Sequence, residues 1–331
     1  MGAPATDGVK ADVVRERHLL LRVIRDFFDR RGYFEVETPY LNRTAPPDPY
    51  IEPLRVFVGG AGPYYLHTSP EIGMKKLIAR GHGKIFQVCK AFRVEELEEH
   101  HSVEFTMLEW YMPGTYVEAM AETADLVREA ERSLGAAGAA VKSGPWPAYA
   151  IGDLFIEAVG FDPLPLDRAS LFASMEGRGF RGLSASDAWE DLFFRCFVQE
   201  VEPLIRKKGE GPFFVKDWPA SLTAMARKKD DRTAERFELY MGGLEIANGY
   251  TELLDAKEQL ERIARDNAER KRLGRETFHP DGAFLDALDS IRGPVAGVSV
   301  GVDRLQMALC GKKSIGDVLP DRLTLGGDGP R

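Results

Sequence analysis

The sequence predicts an α+β fold in which a mixed, mainly antiparallel sheet is flanked by helices. Residues 84–111 alternate as two strands joined by a highly charged loop. Residues 235–255 alternate again around Gly242 and Gly243, a pattern typical of a tight hairpin. Apolar side chains recur at helical spacing in residues 20–28 and 116–137, as expected for helices that cover a sheet.

Composition narrows the function classes. The chain has 331 residues and is 44% hydrophobic, which is enough for one large core or two smaller ones. A net charge of −8 argues against an extensive nucleic-acid surface. The three cysteines are far apart, which favours neither a disulfide framework nor a zinc site. With no apolar run of about 20 residues and no signal peptide, we expect a soluble, cytoplasmic protein that does not enter membranes.

The first elements form a helix–strand unit. Gly32 is placed to end the opening helix. Residues 33–39 then predict a strand with Phe34, Val36 and Thr38 facing inward, which Pro39 stops or confines to an edge. Such a unit is equally compatible with a dimer contact and with a helix that covers the sheet.

The sequence also predicts the helices and strands that follow. Ser69 is placed to cap a helix that carries Glu71 in its first turn. Residues 150–220 predict mixed small elements, including a helix over 187–205. Residues 258–274 predict a charged, solvated surface helix. Residues 293–311 predict a strand that passes through Gly301 into a helix with Arg304 in its first turn.

Strand alternation predicts that one face of residues 84–111 carries polar and charged side chains. Gln87, Cys89, Ala91 and Arg93 share a face of the first strand. On the second strand one face carries four side chains, namely Phe105, Met107, Glu109 and Tyr111. An arginine, an aromatic ring, a carboxylate and a phenol suit a polar, charged small molecule better than a dry core.

Other charged residues on strands extend this interpretation. Arg93 and Arg304 are candidate phosphate ligands. Glu238 and Glu245 flank the predicted hairpin turn and are candidate ligands of one Mg²⁺ ion. Taken singly, each has an ordinary explanation, since surface strands carry glutamates and arginines form salt bridges. Their joint occurrence in one order is what favours a site.

Strict alternation raises a difficulty in the second hairpin. Asn248, Tyr250 and Glu252 share one face, whereas Glu245 falls on the opposite face. If all of them line one site, the strand contains a β-bulge, which we place near Asn248 and Gly249.

The order of motifs resembles a known family. The helix–strand–Pro39 unit, FR-x-E at residues 92–95 with EFTMLEWY at 104–111, and G-x-x-x-G-x-D-R at 297–304 resemble motifs 1, 2 and 3 of class II aminoacyl-tRNA synthetases. The segments VETP, SPE with a following MK pair, and LEIANGYTELLDA resemble the lysine branch. The resemblance covers residues 12–112 and 217–320. It implies a class II synthetase catalytic fold, and we expect one catalytic domain over residues 1–331 with a less similar, partly helical section at about 113–216.

Within that branch, the chain resembles the freestanding ligases that attach (R)-β-lysine to elongation factor P. Lysyl-tRNA synthetases carry an anticodon-binding barrel before motif 1, whereas the motif 1 helix here begins near residue 12. SPE and EWY replace the more usual APE and ELY, and Ser299 stands where the synthetases tend to have glycine. The resemblance implies ATP-dependent activation of (R)-β-lysine or lysine, transfer to a lysine ε-amine of elongation factor P, a homodimer, and no stable tRNA binding.

Two alternatives stay open. One is a truncated lysyl-tRNA synthetase-like enzyme that charges tRNA or another small acceptor. The other is a non-catalytic regulatory paralogue of the synthetase fold, although such proteins lose ATP ligands and the candidate ligands are present here.

The resemblance also implies residue roles. Arg93 and Arg304 would be catalytic through charge neutralisation, and Glu238 and Glu245 would bind Mg²⁺. ATP would contact Arg93, Val94, Glu95, His101, Ser102, Phe105, Glu245, Ile246, Gly301 and Arg304. The amino-acid pocket would consist of Ser69, Pro70, Glu71, Glu109, Tyr111, Asn248, Glu252 and Ser299. Val94, Ser102 and Val103 depart from the family's FRNE and HNP patterns, so we expect the loop between residues 94 and 103 to differ from its relatives.

Overall fold

Eleven strands and ten α-helices alternate in irregular order through the residues that the computed structural model describes, 7–94, 99–135, 144–209 and 211–319. The strands are β1 (Phe34–Glu35), β2 (Leu41–Asn42), β3 (Arg55–Val58), β4 (Ala61–Leu66), β5 (Ile85–Phe92), β6 (Glu104–Pro113), β7 (Ala148–Ala150), β8 (Phe213–Lys216), β9 (Arg236–Met241), β10 (Leu244–Thr251) and β11 (Val295–Gly301). The helices are α1 (Asp7–Arg30), α2 (Glu71–Ala79), α3 (Tyr116–Leu134), α4 (Ile151–Val159), α5 (Arg168–Gly177), α6 (Trp189–Cys196), α7 (Glu202–Lys208), α8 (Ala256–Arg272), α9 (Gly282–Leu288) and α10 (Val302–Cys310). A π-helical stretch, Phe197–Val201, joins α6 to α7.

The main sheet has the strand order β1-β5-β6-β11-β10-β9-β8-β7. Its two outermost pairs, β1 with β5 and β7 with β8, are parallel, and the pairs between them are antiparallel. A second, three-stranded sheet has the order β2-β4-β3. The predicted α+β fold with a mainly antiparallel sheet is therefore confirmed.

Helices α1 and α3 cover one face of the main sheet. Phe27 and Phe28 of α1 are fully buried and belong to the same core as Leu108 and Trp110 of β6. Phe28 stacks on Phe86 of β5 with ring centroids 4.8 Å apart. Because these apolar side chains occupy one face of β5 and β6, the polar side chains that alternate with them are left on the other face.

A second hydrophobic core lies within the section at about 113–216, which resembles the family least. Phe155 of α4 and Phe193 of α6 have ring centroids 4.8 Å apart and are fully buried. They pack in the same cluster as Phe213 and Val215 of β8. The helices of this section are thus attached to the main sheet through its β7–β8 edge.

The prediction for the first strand was partly wrong. Thr38 is buried, as expected, and its hydroxyl donates to Gln87 Oε1 at 3.0 Å. Phe34, however, is 68% exposed. The strand β1 is only two residues long and lies at the edge of the sheet, so the alternation there does not imply a covering layer.

The prediction of a solvated surface helix over residues 258–274 was also wrong for one face of α8. Gln259, Arg262, Asp266 and Arg270 are buried at helical spacing. The Arg262 guanidinium donates to the backbone oxygens of Thr223 and Ala226 at 2.8 and 2.7 Å. The inward face of this helix is polar because it binds the carbonyl groups of neighbouring loops.

Within the described part of the chain, no helix is long and apolar enough to cross a membrane.

Candidate active site

The polar face of β5 and β6 forms the floor of the candidate site. The two strands pair with Gln87 opposite Glu109, Cys89 opposite Met107 and Ala91 opposite Phe105. This register confirms the predicted division of faces. Small residues on β5 leave room above the sheet, while β6 presents the carboxylate, the phenol and the ring.

The predicted bulge is present, at a neighbouring position. The register of β10 against β9 shifts between Glu245 and Ala247, so the extra residue is Ile246, and not near Asn248 and Gly249. This shift brings Glu245 and Asn248 to the same pocket. Gly249 has a different reason to be glycine, because a Cβ there would lie 2.7 Å from the Phe237 ring.

Two adjoining pockets lie above this floor. The first contains most of the residues expected to bind nucleotide, and its lining includes Arg93, His101, Ser102, Phe105, Glu238, Glu245, Ile246, Asn248, Gly301 and Arg304. The second contains most of the residues expected to bind the amino acid, and its lining includes Ser69, Glu71, Glu109, Tyr111, Asn248, Glu252 and Ser299. Arg93, Asn248 and Ser299 line both pockets, so the two volumes meet at these side chains.

In the first pocket, two arginines are held by neighbouring groups. The Arg93 guanidinium lies over the Phe105 ring, 5.1 Å from its centroid, and donates to Thr68 O at 3.3 Å. Arg304, in the first turn of α10, donates to Glu245 O at 3.3 Å and lies 2.7 Å from His101 Nε2. These contacts fix the direction of both cations before any anion binds.

Glu238 is the most perturbed acid of the first pocket. It accepts from Arg236 and from the Tyr240 hydroxyl, each at 2.7 Å. Burial, together with the charge of Glu245, raises the pKa of Glu238 to about 8. Among the residues described, no group of three or more His, Cys, Asp or Glu side chains is placed to hold a metal ion.

The second pocket is built on buried carboxylates. Glu109 is 3% exposed and accepts from the Ser69 hydroxyl at 2.7 Å and the Tyr111 hydroxyl at 2.6 Å. Burial, together with the charge of Glu71, raises the pKa of Glu109 to about 7. Ser69 also accepts from the Glu71 backbone N–H at 3.0 Å, so the predicted capping residue serves both the helix and the pocket.

Glu252 lies at the deep end of the same pocket. It is 2% exposed; its Oε2 lies 2.5 Å from Lys75 Nζ, whereas its Oε1 has no hydrogen-bond partner among the described residues. Burial raises its pKa to about 8. Gly297 of β11 makes room for it, because a Cβ at that position would collide with Glu252 Oε1.

Two predicted residues, Pro70 and Val94, do not line the two pockets, and a third lies outside the described residues. Pro70 lines a neighbouring cleft beside Thr38 and Lys76. The Val94 side chain is 56% exposed, and its backbone N–H donates to Glu52 O at 2.8 Å. Glu95 lies outside the described residues.

Sequence reasoning missed two polar residues that line or abut these pockets, Arg236 and Lys75, and placed Tyr250 on the face of the site without giving it a role. Arg236 lines both pockets. Tyr250 donates its hydroxyl to Glu71 Oε1 at 2.6 Å. Lys75 is 1% exposed and lies 2.5 Å from both Glu71 Oε1 and Glu252 Oε2. The i, i+4 spacing of Glu71 and Lys75 on one helix was the available signal for the last of these.

This fold, with its two-pocket site, defines a class II synthetase domain. The family model of class II tRNA synthetases (D, K and N) matches residues 7–320, and the chain belongs to that family. It is 37% identical over 315 residues to an elongation factor P–(R)-β-lysine ligase of Pseudoalteromonas translucida, covering 92% of this chain and 94% of that relative. Ligases of the same name from Salmonella typhi and Erwinia tasmaniensis are 36% and 37% identical over 313 residues, covering 92% of this chain and 93% of each relative.

Proposed function

We propose that this protein is an ATP-dependent, AMP-forming ligase that activates (R)-β-lysine or lysine and transfers it to a lysine ε-amine of elongation factor P. The observation that carries the proposal is the junction of an arginine-lined pocket with a carboxylate-lined pocket on one sheet face. The first suits a triphosphate, and the second suits a small molecule with two amines. The names of the similar ligases support elongation factor P as the acceptor.

In the nucleotide pocket, Arg93 would hold the α-phosphate and Arg304 the γ-phosphate. Phe105 would stack on the adenine ring, and Glu95 would accept a hydrogen bond from the amino group of that ring. His101 would approach the outer phosphates. Ser102, Ile246 and Gly301 complete the wall around the nucleotide.

In the amino-acid pocket, Glu71, Glu109 and Glu252 would receive the two amines of the substrate. Asn248 would donate to the substrate carboxylate without adding a competing charge. This places the carboxylate at the junction of the pockets, because Asn248 lines both. Ser69 and Tyr111 would orient Glu109, to which both already donate.

The reaction has two steps. A carboxylate oxygen of the amino acid attacks the α-phosphorus of ATP, and the bond from that phosphorus to the pyrophosphate oxygen breaks. Next, a neutral lysine ε-amine of the acceptor attacks the acyl carbon, an amide forms, AMP leaves with the electrons of the broken C–O bond, and the amine nitrogen loses a proton. The protein contributes alignment and charge neutralisation by Arg93 and Arg304.

Glu238 and Glu245 would hold Mg²⁺. The residues fit this ion in number and kind, since both carboxyl groups line the nucleotide pocket and Mg²⁺ is usually bound by one or two carboxylates together with phosphate oxygens. When bound, Mg²⁺ supplies neutralisation of phosphate charge.

The assembly is part of the proposal. We place a homodimer contact at α1 and the β1 segment, where Phe34 is 68% exposed on a sheet edge. We also propose that residues 1–331 act as one catalytic domain in the cytoplasm. The net charge of −8 favours the further proposal that this domain does not bind tRNA stably.

A labelling assay tests the proposal. The enzyme is incubated with Mg-ATP, with either labelled (R)-β-lysine or labelled lysine, and with either purified elongation factor P or bulk tRNA as the acceptor. We expect ATP-dependent labelling of elongation factor P and none of tRNA. Labelling of tRNA alone would identify a tRNA-charging enzyme, and binding of ATP with no labelling of either acceptor would identify a non-catalytic paralogue.

A further inference from the structure

A buried ammonium group lies behind the carboxylate-lined pocket, in contact with two of the carboxyl groups that line it. Lys75, on α2, is 1% exposed, and its Nζ lies 2.5 Å from an oxygen of Glu71 and 2.5 Å from an oxygen of Glu252. Apolar groups enclose it from two other elements, with Met225 Sδ at 3.7 Å and the Phe284 ring centroid at 5.8 Å. An enclosed ammonium of this kind is costly to bury unless it is paired.

The titratable groups around Lys75 come from three elements. Glu71 lies on the same helix, Glu109 and Tyr111 face the pocket from β6, and Tyr250 and Glu252 come from β10 and its end. The Tyr250 ring centroid lies 5.7 Å from the ammonium. Burial and the nearby carboxylates raise the pKa values of Tyr111 and Tyr250 well above the ordinary value, so both phenols stay neutral.

The charges of this cluster match one class of ligand. With all groups ionised, three carboxylates and one ammonium leave two negative charges, the number needed for a ligand with two amines whose carboxylate lies at the junction of the pockets. Without Lys75 the three carboxylates, of which Glu109 and Glu252 are buried, would repel each other, and one of them would take up a proton. Glu252 Oε1 moreover has no hydrogen-bond donor among the described residues, so the cluster still has an acceptor for a ligand amine.

We propose that Lys75 sets the charge of the amino-acid pocket, favouring the ionised form of Glu252 against the effect of its burial and holding the carboxyl groups of Glu71 and Glu252 in place for a substrate that carries two amines. Lys75 is thus a positioning residue that acts through two carboxylates. The inference rests on the proposed function, since it concerns how the same site binds its amino acid. Burial lowers the pKa of Lys75, but the neighbouring Glu252 and Glu71 more than compensate and raise it above the ordinary value, so the group stays charged.

The test is amino-acid-dependent ATP–pyrophosphate exchange from pH 6 to 9, with (R)-β-lysine and lysine in parallel, for Lys75→Met. We expect the KM for the amino acid at pH 7.5 to rise about tenfold or more, because the charge of Lys75 lowers the pKa of Glu252 and its loss leaves less of that group ionised. The pH at which KM falls should therefore move in the alkaline direction. The kcat should change less than about threefold, because Lys75 touches no reacting atom.

Lys76→Met is the matched control. Lys76 is the next residue of the same helix and pairs with Asp281 at 2.5 Å, beside the neighbouring cleft. We expect its KM and its pH profile to equal those of the unmodified enzyme.

Lys75→Gln separates charge from hydrogen bonding, because glutamine retains donors for both carboxylates but carries no charge. The proposal expects the alkaline shift for both Gln and Met. A pH profile equal to that of the unmodified enzyme, measured for folded Gln and Met variants, would overturn the proposal. Failure of both variants to fold and bind Mg-ATP would also overturn it, since Lys75 would then serve the fold alone.

The two proposals fail differently. If the unmodified enzyme shows no exchange with either lysine, the proposed function is wrong. If the unmodified enzyme is active and the Lys75 variants match it, only the role of Lys75 is wrong.

Discussion

The two pockets differ in how their charges are satisfied. In the nucleotide pocket, Arg93 and Arg304 are only half-buried and are bound mainly through backbone carbonyls and ring contacts. In the amino-acid pocket, Glu109, Glu252 and Lys75 are almost completely buried and contact other ionisable groups. The two arginines can therefore be changed one at a time, whereas the ionisable groups at the amino-acid pocket form a coupled network in which each charge depends on the others.

The largest effect is expected in the nucleotide pocket. Arg304→Ala should lower kcat/KM for ATP–pyrophosphate exchange by about a thousandfold, because a preorganised cation at the phosphates is lost. The dissociation constant for the amino acid should change little, since that pocket is satisfied separately. Calorimetry and exchange rates measure the two quantities, and Arg206→Ala, an exposed arginine paired with Glu202, is the control. A loss below tenfold would contradict the assignment of Arg304.

The second prediction concerns a wall that the two pockets share. Arg270 on α8 is 0% exposed and donates to Asp48 O at 2.7 Å, to Ile51 O at 3.1 Å and to Glu52 at 2.5 Å. Asp48 and Ile51 line both pockets, so this arginine holds a shared wall.

Arg270→Met should therefore lower the free energy of unfolding by about 3 kcal/mol and weaken the binding of both substrates. Urea denaturation measures the first and calorimetry the second. Arg272→Met, at the exposed end of the same helix, should change stability by less than about 0.5 kcal/mol. Equal effects of the two substitutions would show that the wall does not depend on the buried arginine.

The third prediction concerns pH. Burial raises the pKa values of Glu109, Glu238 and Glu252 to about 7, 8 and 8. The folded protein then binds more protons than the unfolded chain between about pH 4.5 and 8, so the stability of the unliganded protein falls as pH rises through this window. Because three groups contribute, we expect a loss of several kcal/mol between pH 5.5 and 8 in urea denaturation.

Glu238→Gln should flatten part of this slope, because it removes one of the three carboxyl groups. Glu104→Gln, an exposed glutamate that pairs with Lys90 at 3.2 Å, is the control and should leave the slope unchanged. A stability that rises with pH over the same window would contradict the sign of these shifts.

Local patterns sufficed for the sheet and for the polar face of β5 and β6, whereas most other candidate site residues came from the resemblance to the family. Alternation placed Glu109 and Tyr111 on the polar face and Leu108 and Trp110 in the core, as the structure has them. Alternation also required a bulge, because Glu245 was otherwise on the wrong face. It misplaced that bulge since Gly249 suggested an irregularity, whereas this glycine only lets the Phe237 ring approach.

What local patterns missed depends on partners distant in the sequence. Lys75 belongs to the pocket only because Glu252 lies beside it in the fold. The polar inner face of α8 was interpreted as solvated because Arg270 finds its carbonyl partners in the loop of residues 48–52. Phe34 alternates like a buried strand residue, but no layer covers its edge among the described elements.

The smallest effect concerns the choice of amino acid, where the pockets meet. Ser299 is half-buried, lies opposite Glu109 in the pairing of β11 with β6, and donates to Asn248 O at 3.3 Å. Its side chain narrows the pocket beside the carboxylate that would receive an amine, so Ser299→Gly should shift the ratio of kcat/KM values toward lysine by about fivefold to tenfold. Exchange assays with (R)-β-lysine and lysine measure the ratio, and Ser299→Ala, which keeps the Cβ, should shift it less. An unchanged ratio in the glycine variant would mean that pocket width at this position does not select the isomer.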